Sequence, residues 1–504
     1  YTANQKDFEK IPGSPIGYWL NEKAFATFEN YPIIETYANP RQGLASSDVT
    51  RFIKYWNEVG LNKIAFNIQN RIESVNSKKK WFPHNKGGGI QKWHGNNYYV
   101  VNWYNDGDEI LGLATSLYGS PTRTIKNIQY YFKPSITWGM IGAGRFTCRI
   151  SRGGFIFDVG GPSAFCDGEL FELISGYLNS KVAYYYLLAI NPTLNYNSGD
   201  LGKIPFINVS FSIRNKIKEL VIVCEKISKE YYDTKENYSW NFQRNALIAL
   251  KVKNIRNSFE IYSNNWKHQF FQLQQNEEEL NRIFIEIYGL EDELTPDVPL
   301  EEITILQEET SIENGELLFH KEEVLAQFVS YAVGCMFGRY SLDKPGLILA
   351  NQGETLQDYL CNIGLKLEEL SFVPDEDNII PVLDNEWFED DIVERFYAFL
   401  KASFGEANFS KNLSFIEESL GMEVRKYFTK NFYSDHIKRY KKRPIYWMFS
   451  SANGAFNVLI YMHRYTPDTL SHILNGYLRE YKEKIRTHIE HLEQIIDTGS
   501  SSEA

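Results

Sequence analysis

Basic side chains interleaved with aromatic ones are the residues of this sequence whose types and spacing best suit chemistry. Between Glu109 and Asp158 the chain contains no Asp or Glu. The same stretch contains Arg123, Lys126, Lys133, Arg145, Arg149 and Arg152, among the aromatic residues Tyr130, Tyr131, Phe132, Trp138 and Phe146. Because surface cations of an acidic protein usually pair with carboxylates, this exclusion indicates another anionic partner, and nucleic-acid phosphates suit that role. The alternative is an ordinary solvated face whose cations pair with acids such as Asp158 or Glu169.

Two arginines of this stretch have the spacing expected of base-reading residues. Arg145 and Arg149 lie four positions apart in GRFTCRIS, on a predicted strand. The two-residue period of a strand would place both on one face together with Thr147. An arginine can donate two hydrogen bonds to the edge of a guanine. We therefore expect Arg145 and Arg149 to read bases, and Arg123 and Lys133 mainly to hold phosphates.

Other patterns do not reach the spacing that a catalytic or metal site requires. The glycine-rich stretches GMIGAGRF and NKGGGI lack the dinucleotide-binding spacing and a P-loop lysine, so turns between strands are expected. The histidines are scattered, with His488 and His491 on a charged helix face, and neither GxSxG nor HExxH occurs. Glu389, Asp390 and Asp391 are expected at a helix start, where carboxylates complement the helix dipole. No catalytic centre and no metal site are predicted.

Length and composition exclude several classes of protein. The chain has 504 residues and a net charge of −11, which predicts about three domains and argues against indiscriminate binding to nucleic acid. Its densest apolar run, VAYYYLLAI, is too short for a membrane span, so no membrane partner is expected. The five cysteines are odd in number and widely spaced, which favours buried thiols in a reducing, cytoplasmic setting. The first residue, Tyr1, and the ending DTGSSSEA suggest a fragment cut at both ends.

The elements that must position these residues change in character along the chain. The first two hundred residues show strand and turn signals, including YYVVNW and a predicted hairpin of FTCRI, a turn at SRGG and FIFDV. From Glu169 onward, apolar residues recur at three and four spacing, which predicts helices in ELFELISGYLNSKVAYYYLLAI, RNKIKELVIVCEKISKEYYD, NEEELNRIFIEIYGL, KEEVLAQFVSYAVGCMFGRY, DIVERFYAFLKASF and LSFIEESLGMEVRKYFTKNF. Between the helical stretches, NSGD predicts a tight turn and Pro205 the end or edge of a strand.

Charge marks a boundary in the middle of the chain. The segment from Glu291 to Glu316 is rich in acids and contains no Lys or Arg, which predicts an exposed, solvated linker. A second basic stretch, RKYFTKNFYSDHIKRYKKRP, runs from Arg425 to Arg443 and is interrupted by the single acid Asp435. We interpret the chain as residues 1–207, a helical connector at 208–290, an acidic linker at 291–318 and a helical domain at 319–504.

Several stretches together resemble one family, the adenine-specific DNA methyltransferases of BREX anti-phage systems (PglX or BrxX). They are KIPGSPIGYWL from Lys10, PRQGLASSDVTRFIKYW from Pro40, KWFPHNKGGGIQKWHGNNYYVVNW from Lys80, ITWGMIGAGRFTCRISRGGFIFDVGGPSAF from Ile136, NPTLNYNSGDLGKIPF from Asn191, YGLEDELTPDVPLEEITI from Tyr288, SYAVGCMFGRYSLDKPGL from Ser330 and HIKRYKKRPIYWMFSS from His436. Their order matches the family over nearly the whole chain. LNYNSGDLGKIPF resembles the close of a target recognition domain.

The chain also departs from the family pattern. The glycine-rich S-adenosylmethionine loop and the catalytic Asn-Pro-Pro-Tyr motif do not occur, since NPTL at Asn191 has Thr193 and Leu194 in place of the second proline and the aromatic residue. An aromatic residue at that position would stack on a flipped adenine. In the segment from Pro40, where the family is expected to have Gly-Leu-Ala-Thr-Gly-Asp-Asn, Ser46, Ser47 and Val49 replace the Thr, Gly and Asn.

The resemblance implies a mixed α+β fold, with an α/β target recognition domain at 1–207 followed by a mostly α-helical C-terminal region. It implies the recognition part of a site-specific N6-adenine methyltransferase, inactive alone, with no cofactor in this chain and S-adenosylmethionine required by the complete enzyme. The implied partners are double-stranded DNA, other BREX proteins and a missing N-terminal methyltransferase domain. The expected DNA-binding residues are Arg41, Arg51, Lys86, Arg123, Lys126, Lys133, Arg145, Arg149, Arg152 and Asn195.

Two other functions are weighed against this one. The first is a helical interaction scaffold that docks other defence proteins or an inhibitor and has no DNA affinity of its own. The second is a nuclease, for which no convincing carboxylate-lysine metal motif is found. Salt-dependent affinity for duplex DNA would separate the recognition function from the scaffold.

Overall fold

The structure is a computed structural model that describes residues 5–142 and 145–497. The chain divides into two compact units, one formed by Tyr1–Trp240 with Ser263–Phe319 and the other by Asn241–Tyr262 with His320–Ala504. About half of the chain is helical and about 12% lies in strands, which confirms a mixed α+β protein. In the described ranges, no helix combines the length and apolar character needed to cross a membrane.

The first unit contains two small sheets. Its strands are β1 (Ala38–Arg41), β2 (Ile53–Tyr55), β3 (Trp81–Asn85), β4 (Tyr99–Asn102), β5 (Ser135–Trp138), β6 (Cys148–Ser151), β7 (Ile156–Phe157), β8 (Ser163–Cys166), β9 (Thr310–Glu313) and β10 (Glu316–Phe319). One four-stranded sheet has the antiparallel order β1-β8-β5-β6. The other has the order β2-β4-β3-β7, in which only the β3–β7 pair is parallel. Strands β9 and β10 form a separate hairpin.

The same unit also contains helices. They are α1 (Glu22–Asn30), α2 (Val49–Phe52), α3 (Arg71–Asn76), α4 (Tyr104–Tyr118), α5 (Gly168–Leu178), α6 (Lys181–Ile190), α7 (Ser198–Gly202) and α8 (Phe211–Asp233). Helix α8 buries Ile217, Val221, Cys224 and Ile227, the three- and four-residue spacing seen in the sequence. A Cβ on Gly176 of α5 would lie 3.1 Å from both Ile217 and Val221, so a glycine allows α5 and α8 to pack closely.

The predicted hairpin of FTCRI and FIFDV is wrong. Strand β6 pairs with β5 in one sheet, whereas β7 pairs with β3 in the other. Gly153 and Gly154 both have positive φ, which allows the chain to turn out of the first sheet after β6. The next residue, Phe155, accepts a hydrogen bond from Phe132 N–H and does not pair with β6. Alternation and a Gly-Gly turn locate both strands correctly but do not determine which strand each one pairs with.

Part of the acidic segment is buried, whereas the sequence predicted that the whole segment would be exposed to solvent. Ile303, Ile305 and Leu306 are buried, and the Glu309 side chain is 0% exposed. Glu309 forms an ion pair with Lys235, which follows helix α8 and is itself 5% exposed. Residues 208–240 and 263–319 thus belong to the same compact unit as the first 207 residues. The apolar side chains between the acids are buried, and their burial places this segment in the core.

We expect Lys235→Met to destabilise the first unit by about 3 kcal/mol or more, because it removes the buried cation that pairs with the buried Glu309 carboxylate. Lys216→Met is the matched control, since Lys216 pairs with Glu279 on the surface and such pairs contribute about 0–1 kcal/mol. Chemical denaturation monitored by tryptophan fluorescence measures both. Equal effects of the two substitutions would contradict a structural role for the buried pair.

The second unit is mainly helical and carries one small sheet. Its helices are α9 (Ala246–Ala249), α11 (Lys321–Met336), α12 (Leu356–Ile363), α13 (Ile392–Phe404), α14 (Phe409–Leu420), α15 (Val424–Tyr427), α16 (Tyr433–Arg439), α17 (Thr469–His472) and α18 (Arg479–Asp497), while α10 (Ile255–Tyr288) begins here and ends in the first unit. Strands β11 (Ile380–Pro381), β12 (Tyr446–Ser450) and β13 (Asn457–Tyr461) pair in the order β11-β13-β12. The helices predicted in KEEVLAQFVSYAVGCMFGRY and DIVERFYAFLKASF are confirmed as α11 and α13. The stretch LSFIEESLGMEVRKYFTKNF does not form one continuous helix, because α14 ends before Gly421, whose φ is 69°, and α15 begins at Val424.

A buried histidine holds the start of β12 in place. His436 of α16 is 1% exposed, and its Nε2 accepts hydrogen bonds from the backbone N–H groups of Ile445 and Tyr446 at 3.2 and 3.1 Å. Burial lowers the pKa of His436 well below its ordinary value of 6.5, and Arg439 and Arg339 lower it further. The ring must therefore be neutral, because an imidazolium cannot accept a hydrogen bond.

Acidification should lower the local stability of the second unit around His436 and β12. Since the pKa of His436 is lower in the folded than in the unfolded chain, the unfolded chain binds the proton more strongly. The stabilising contribution is complete above about pH 6.5 and decreases as the pH falls below that value. Hydrogen exchange should show lower protection factors at Ile445 and Tyr446 at pH 5.5 than at pH 7.5. In His436→Gln this pH dependence should vanish, whereas in the control His472→Gln it should persist.

Candidate nucleic-acid interface

The loop Gln42–Asp48 is the centre of the candidate interface. It joins β1 to α2, and its backbone bonds to two neighbouring segments. Gly43 N–H and Leu44 N–H donate to the carbonyls of Asp158 and Phe157, at 3.3 and 3.0 Å, and Leu44 accepts from Val159 N–H. On its other side, Ala45 N–H donates to Thr124 O at 2.8 Å. The loop is therefore a fixed part of the unit.

Glycine is required at one position of this loop. A Cβ on Gly43 would lie 1.8 Å from the carbonyl oxygen of Phe157, a distance at which two atoms overlap. The next residue, Leu44, is 0% exposed and packs in the core that contains Phe82, Phe132 and Phe157. A Gly-Leu pair occurs here because residue 43 must have no side chain next to the Phe157 backbone and residue 44 must fill the core. Asp48 then caps α2 by accepting a hydrogen bond from Arg51 N–H at 3.0 Å.

The strand order brings several of the expected DNA-binding residues to the same end of the sheets. Strands β1 and β5 both run antiparallel to β8, and β3 runs parallel to β7, whose end leads through Gly160 and Gly161 to the start of β8. Arg41 ends β1 and Lys86 follows β3. Met140, which follows β5, donates to Gly160 O and accepts from Tyr196 N–H. Arg41, Lys86 and Asn195 are thereby placed at this end.

A buried acid supports the turn beside Lys86. Asp158 is 7% exposed; its Oδ1 accepts from Gly161 N–H at 2.5 Å, and its Oδ2 lies 3.6 Å from His84 Nε2. A Cβ on Gly87 would lie 1.7 Å from Gly160 O, so the Gly87 and Gly160 backbones touch. The Lys86 ammonium lies 4.9 Å from the centre of the Tyr99 ring. Lys86 is thus aligned by cation–π attraction.

Arg123 and Lys126 flank the loop on its other side. Asn127 adopts positive φ, which asparagine tolerates, and its Nδ2 donates to Gln42 O at 2.9 Å. Both cations are exposed, and Arg123 lies over the Tyr118 ring at 5.7 Å. Within the described ranges, no carboxylate lies within 4.0 Å of Lys86, Arg123 or Lys126. We call Arg41, Lys86, Arg123, Lys126 and Asn195, around the Gln42–Asp48 loop, the basic edge.

Two of the expected arginines near the loop already have acidic partners. Arg41 Nη1 lies 3.4 Å from Glu35 Oε1, and the Arg41 Nη2 donates to Asn39 Oδ1. Arg51 Nε and Nη2 lie 2.8 and 2.6 Å from Glu109 Oε1. Both pairs are partly exposed, so a phosphate could exchange with the carboxylate at small cost.

Lys133 and Arg152 lie elsewhere. They precede β5 and follow β6, at the end of that sheet opposite the basic edge, where they line a cavity of about 330 Å³. Lys133 is exposed above Tyr130, whereas Arg152 forms ion pairs with Glu172 and Glu225. The acid-free stretch therefore does not form a single surface.

The expectation that Arg145 and Arg149 share one strand face is wrong. Arg145 precedes β6 in a bend and forms an ion pair with Glu302 of the acidic segment at 2.5 Å. Arg149 is within β6 and 2% exposed, and its Nη1 has no hydrogen-bond partner among the residues that the structure describes. Burial lowers the pKa of the Arg149 guanidinium to about 10. The strand is shorter than the pattern suggests, and packing covers the face that bears Arg149.

The structure confirms some of the predictions made from the turn, glycine and cysteine patterns and contradicts others. NSGD begins the short helix α7 rather than a tight turn, and Pro205 forms an isolated bridge with Ile33. Of the glycine-rich stretch GMIGAGRF, residues 143 and 144 lie outside the described residues, while Gly142 N–H donates to Leu194 O. Cys361 is exposed, contrary to expectation, whereas Cys148, Cys224 and Cys335 are buried.

The second basic stretch is largely structural at its start. Arg425 forms an ion pair at 3.0 Å with Asp391, whose side chain is 0% exposed.

Among the described residues, no group of His, Cys, Asp or Glu is arranged to hold a metal ion. The acidic helix start at Glu389–Asp391 is confirmed in part, since Asp391 caps α13 by accepting from Val393 N–H.

The first unit thus carries a pair of small sheets with the basic edge at one end, and the second unit is mainly helical. No protein-family model matches the chain. It is 34% identical over 502 residues to the adenine-specific methyltransferase PglX of Lacticaseibacillus casei (strain Zhang), covering 96% of this chain and 39% of that protein. It is also 34% identical over 523 residues to the adenine-specific methyltransferase BrxX of Escherichia coli O9:H4 (strain HS), covering 99% of this chain and 41% of that protein.

The chain therefore belongs to the PglX/BrxX family over the part that it shares with these proteins, as the sequence motifs indicated. It spans about two fifths of the length of the relatives it matches.

Gly43→Ala should destabilise the first unit by about 3 kcal/mol, because the new methyl group overlaps the Phe157 carbonyl and must push the two backbones apart. Gly112→Ala is the control: it lies in helix α4 with nothing within 4 Å of its Cβ, and alanine favours a helix over glycine by up to about 1 kcal/mol. Thermal denaturation should show a lower Tm for the first variant and an unchanged or higher one for the second. An unchanged Tm in Gly43→Ala would show that the contact is dispensable.

Proposed function

We propose that this chain provides DNA target recognition for a BREX-type, site-specific N6-adenine DNA methyltransferase. The observation that supports it best is the basic edge, where Lys86, Arg123 and Lys126 have no acidic partner in the described ranges of an otherwise acidic protein. Family membership over nearly the whole chain makes DNA the natural anion for this edge. Cytoplasmic location and association with other BREX proteins are parts of the same proposal.

Arg123 and Lys126 hold the phosphate backbone in this proposal. Both are exposed on a segment that the Gln42–Asp48 loop fixes through hydrogen bonds of 2.8 and 2.9 Å. Neutralisation of a phosphate by a cation releases condensed counterions, so each contact adds affinity and salt dependence irrespective of sequence. Arg41, Arg51, Arg145 and Arg152 join as secondary contacts if they exchange their carboxylates for phosphates, and Lys133 is a contact outside the edge.

Lys86 and Asn195 are the proposed base readers. Both lie on loops at the end of the sheets, and Asn195 is bridged to Ile141, whose side chain is 68% exposed. An asparagine can make two hydrogen bonds to adenine, and a lysine can donate to guanine O6 or N7. Arg149, which the sequence suggested as a reader, supports the strand from the interior in this arrangement.

Methyl transfer is a step of the complete enzyme. S-adenosylmethionine would supply the methyl group, but this sequence has neither the glycine-rich loop nor the Asn-Pro-Pro-Tyr motif that would hold it and the flipped adenine. The residues present do not fit the cofactor, and no step through it is assigned to this chain. Its contribution is to select the duplex site and hold it.

Fluorescence anisotropy with labelled duplexes of about 20 bp, two turns of DNA, tests the proposal. The cognate duplex carries the site found by methylome sequencing of the host, and a scrambled duplex is the comparison. Arg123→Ala and Lys126→Ala should weaken binding to both duplexes alike and make the log–log salt slope shallower by about 0.9 each. Asn195→Ala should weaken binding to the cognate duplex alone, by about 1–3 kcal/mol. Lys218→Ala, an exposed lysine of α8, is the charge-matched control and should change neither.

A chain that is folded but binds neither duplex would contradict the proposal and support an interaction scaffold instead. Cognate binding that Arg123→Ala and Lys126→Ala leave unchanged would mean that DNA binds on another surface.

A further inference from the structure

A lysine-lined cleft lies in the first unit, apart from the basic edge. Its volume is about 560 Å³, and its walls include Asn62, Lys63, Lys78, Lys79 and Lys80. Three of these lysines are consecutive in the sequence, a run that a solvated face would equally explain. The fold also brings Lys63, from a separate segment, to the same cleft, which the sequence run alone does not show.

A turn after helix α3 presents the lysines. Lys78 follows helix α3 with a φ of 53°, in the left-handed region where glycine or asparagine is normally found. The Lys78 N–H donates to Val75 O at 3.1 Å, and the Lys79 ammonium donates to Asn62 O, which ties the turn to the segment that bears Lys63. The Lys80 ammonium lies 5.9 Å from the Trp81 ring centre. These hydrogen bonds hold the turn so that Lys78 lines the same cleft as Lys63.

The carboxylate on the wall of this cleft is already bound by other groups. Glu109 is the carboxylate on its wall, and it accepts hydrogen bonds from Arg51 at 2.8 Å and from Asn102 Nδ2 at 2.7 Å. These bonds, that from Arg51 foremost, lower the pKa of Glu109. Within the described ranges, Lys63, Lys78 and Lys80 have no carboxylate within 4.0 Å. Glu109 is held by Arg51 and attracts Lys80 only at longer range, so most of the positive charge of the cleft is available to an external anion.

Position favours a polymer over a small anion. Glu109 links the cleft to Arg51 of α2, and α2 directly follows the Gln42–Asp48 loop. Tyr104, at the start of α4, lines the cleft and is 51% exposed, so its ring offers an apolar surface beside the cations. Lysine is a compact point charge on a flexible stem, which suits sequence-independent contact with phosphates. Arg51 then connects the cleft with the loop of the basic edge.

We propose that this cleft binds successive phosphates of the DNA backbone, extending the contact of the basic edge beyond the bases that are read. The proposal rests on the proposed function and adds a sequence-independent anchor to it. Lys63, Lys78 and Lys80 neutralise the phosphates, Lys79 fixes the turn, and Tyr104 packs against the sugar-phosphate chain.

The triple variant Lys63→Gln/Lys78→Gln/Lys80→Gln of the full chain tests this anchor. Because three phosphate-neutralising cations are removed, the log–log salt slope of duplex binding should become shallower by about 2.7, and cognate and scrambled duplexes should bind more weakly by the same factor. The control is Lys218→Gln/Lys226→Gln/Lys229→Gln, which removes the same charge from exposed positions on α8. An unchanged slope in the cleft variant, or an equal change in the control, would overturn the proposal.

A duplex of about 30 bp, three turns of DNA, and inorganic tripolyphosphate distinguish the possible anions. We expect the cleft variant to bind the duplex more weakly, while tripolyphosphate competes only weakly in the unsubstituted chain. Abolished tripolyphosphate binding with unchanged duplex binding would identify a small-anion site and overturn the backbone anchor. If the unsubstituted chain binds no duplex, the proposed function fails as well; if it binds and only the cleft variant is without effect, the anchor alone fails.

Discussion

Close contact between the Gly43–Leu44 backbone and the Phe157–Val159 backbone is the constraint on which the first unit depends. It joins β1 of one sheet to the end of β7 in the other, and it is possible only because residue 43 has no side chain. Leu44 fills the core below the contact. The loop that continues from it is therefore fixed, and its hydrogen bonds to Thr124 and Asn127 fix the segment that bears Arg123 and Lys126. Cations on a fixed segment lose less conformational entropy on binding than cations on a mobile one.

The distribution of acids gives this rigid edge its electrostatic character. Several carboxylates are used internally: Glu277 accepts from Lys92 and the Trp93 ring, Glu309 pairs with Lys235, and Asp158 holds the turn at Gly161. Arg145 is neutralised by Glu302 of the acidic segment. A chain with a net charge of −11 can thus leave Lys86, Arg123 and Lys126 without acidic partners in the described ranges.

Family membership and structure support different parts of the proposed function. The relatives are named as adenine-specific methyltransferases, and this chain corresponds to about two fifths of their length. In the proposed function, the first unit presents an edge and a lysine cleft to DNA. The second unit is built on helices and a small sheet whose strand β12 is positioned by a buried neutral histidine. In the proposed function, selection of the site and methyl transfer are separate tasks within one enzyme family, which permits a recognition surface to vary while the chemistry stays constant.

The sequence by itself determined the family, the mixed α+β class and most long helices, because motifs and three- and four-residue periodicity are local properties. It also located the strands around Cys148 and Ile156. Only tertiary structure decided that these strands enter different sheets, that Arg149 is interior, that Glu302 and Glu309 reach basic partners far away in sequence, and that Lys63 joins the lysines at 78–80. Strand pairing and the burial of a given charge depend on residues distant in the chain, so no local pattern specifies them.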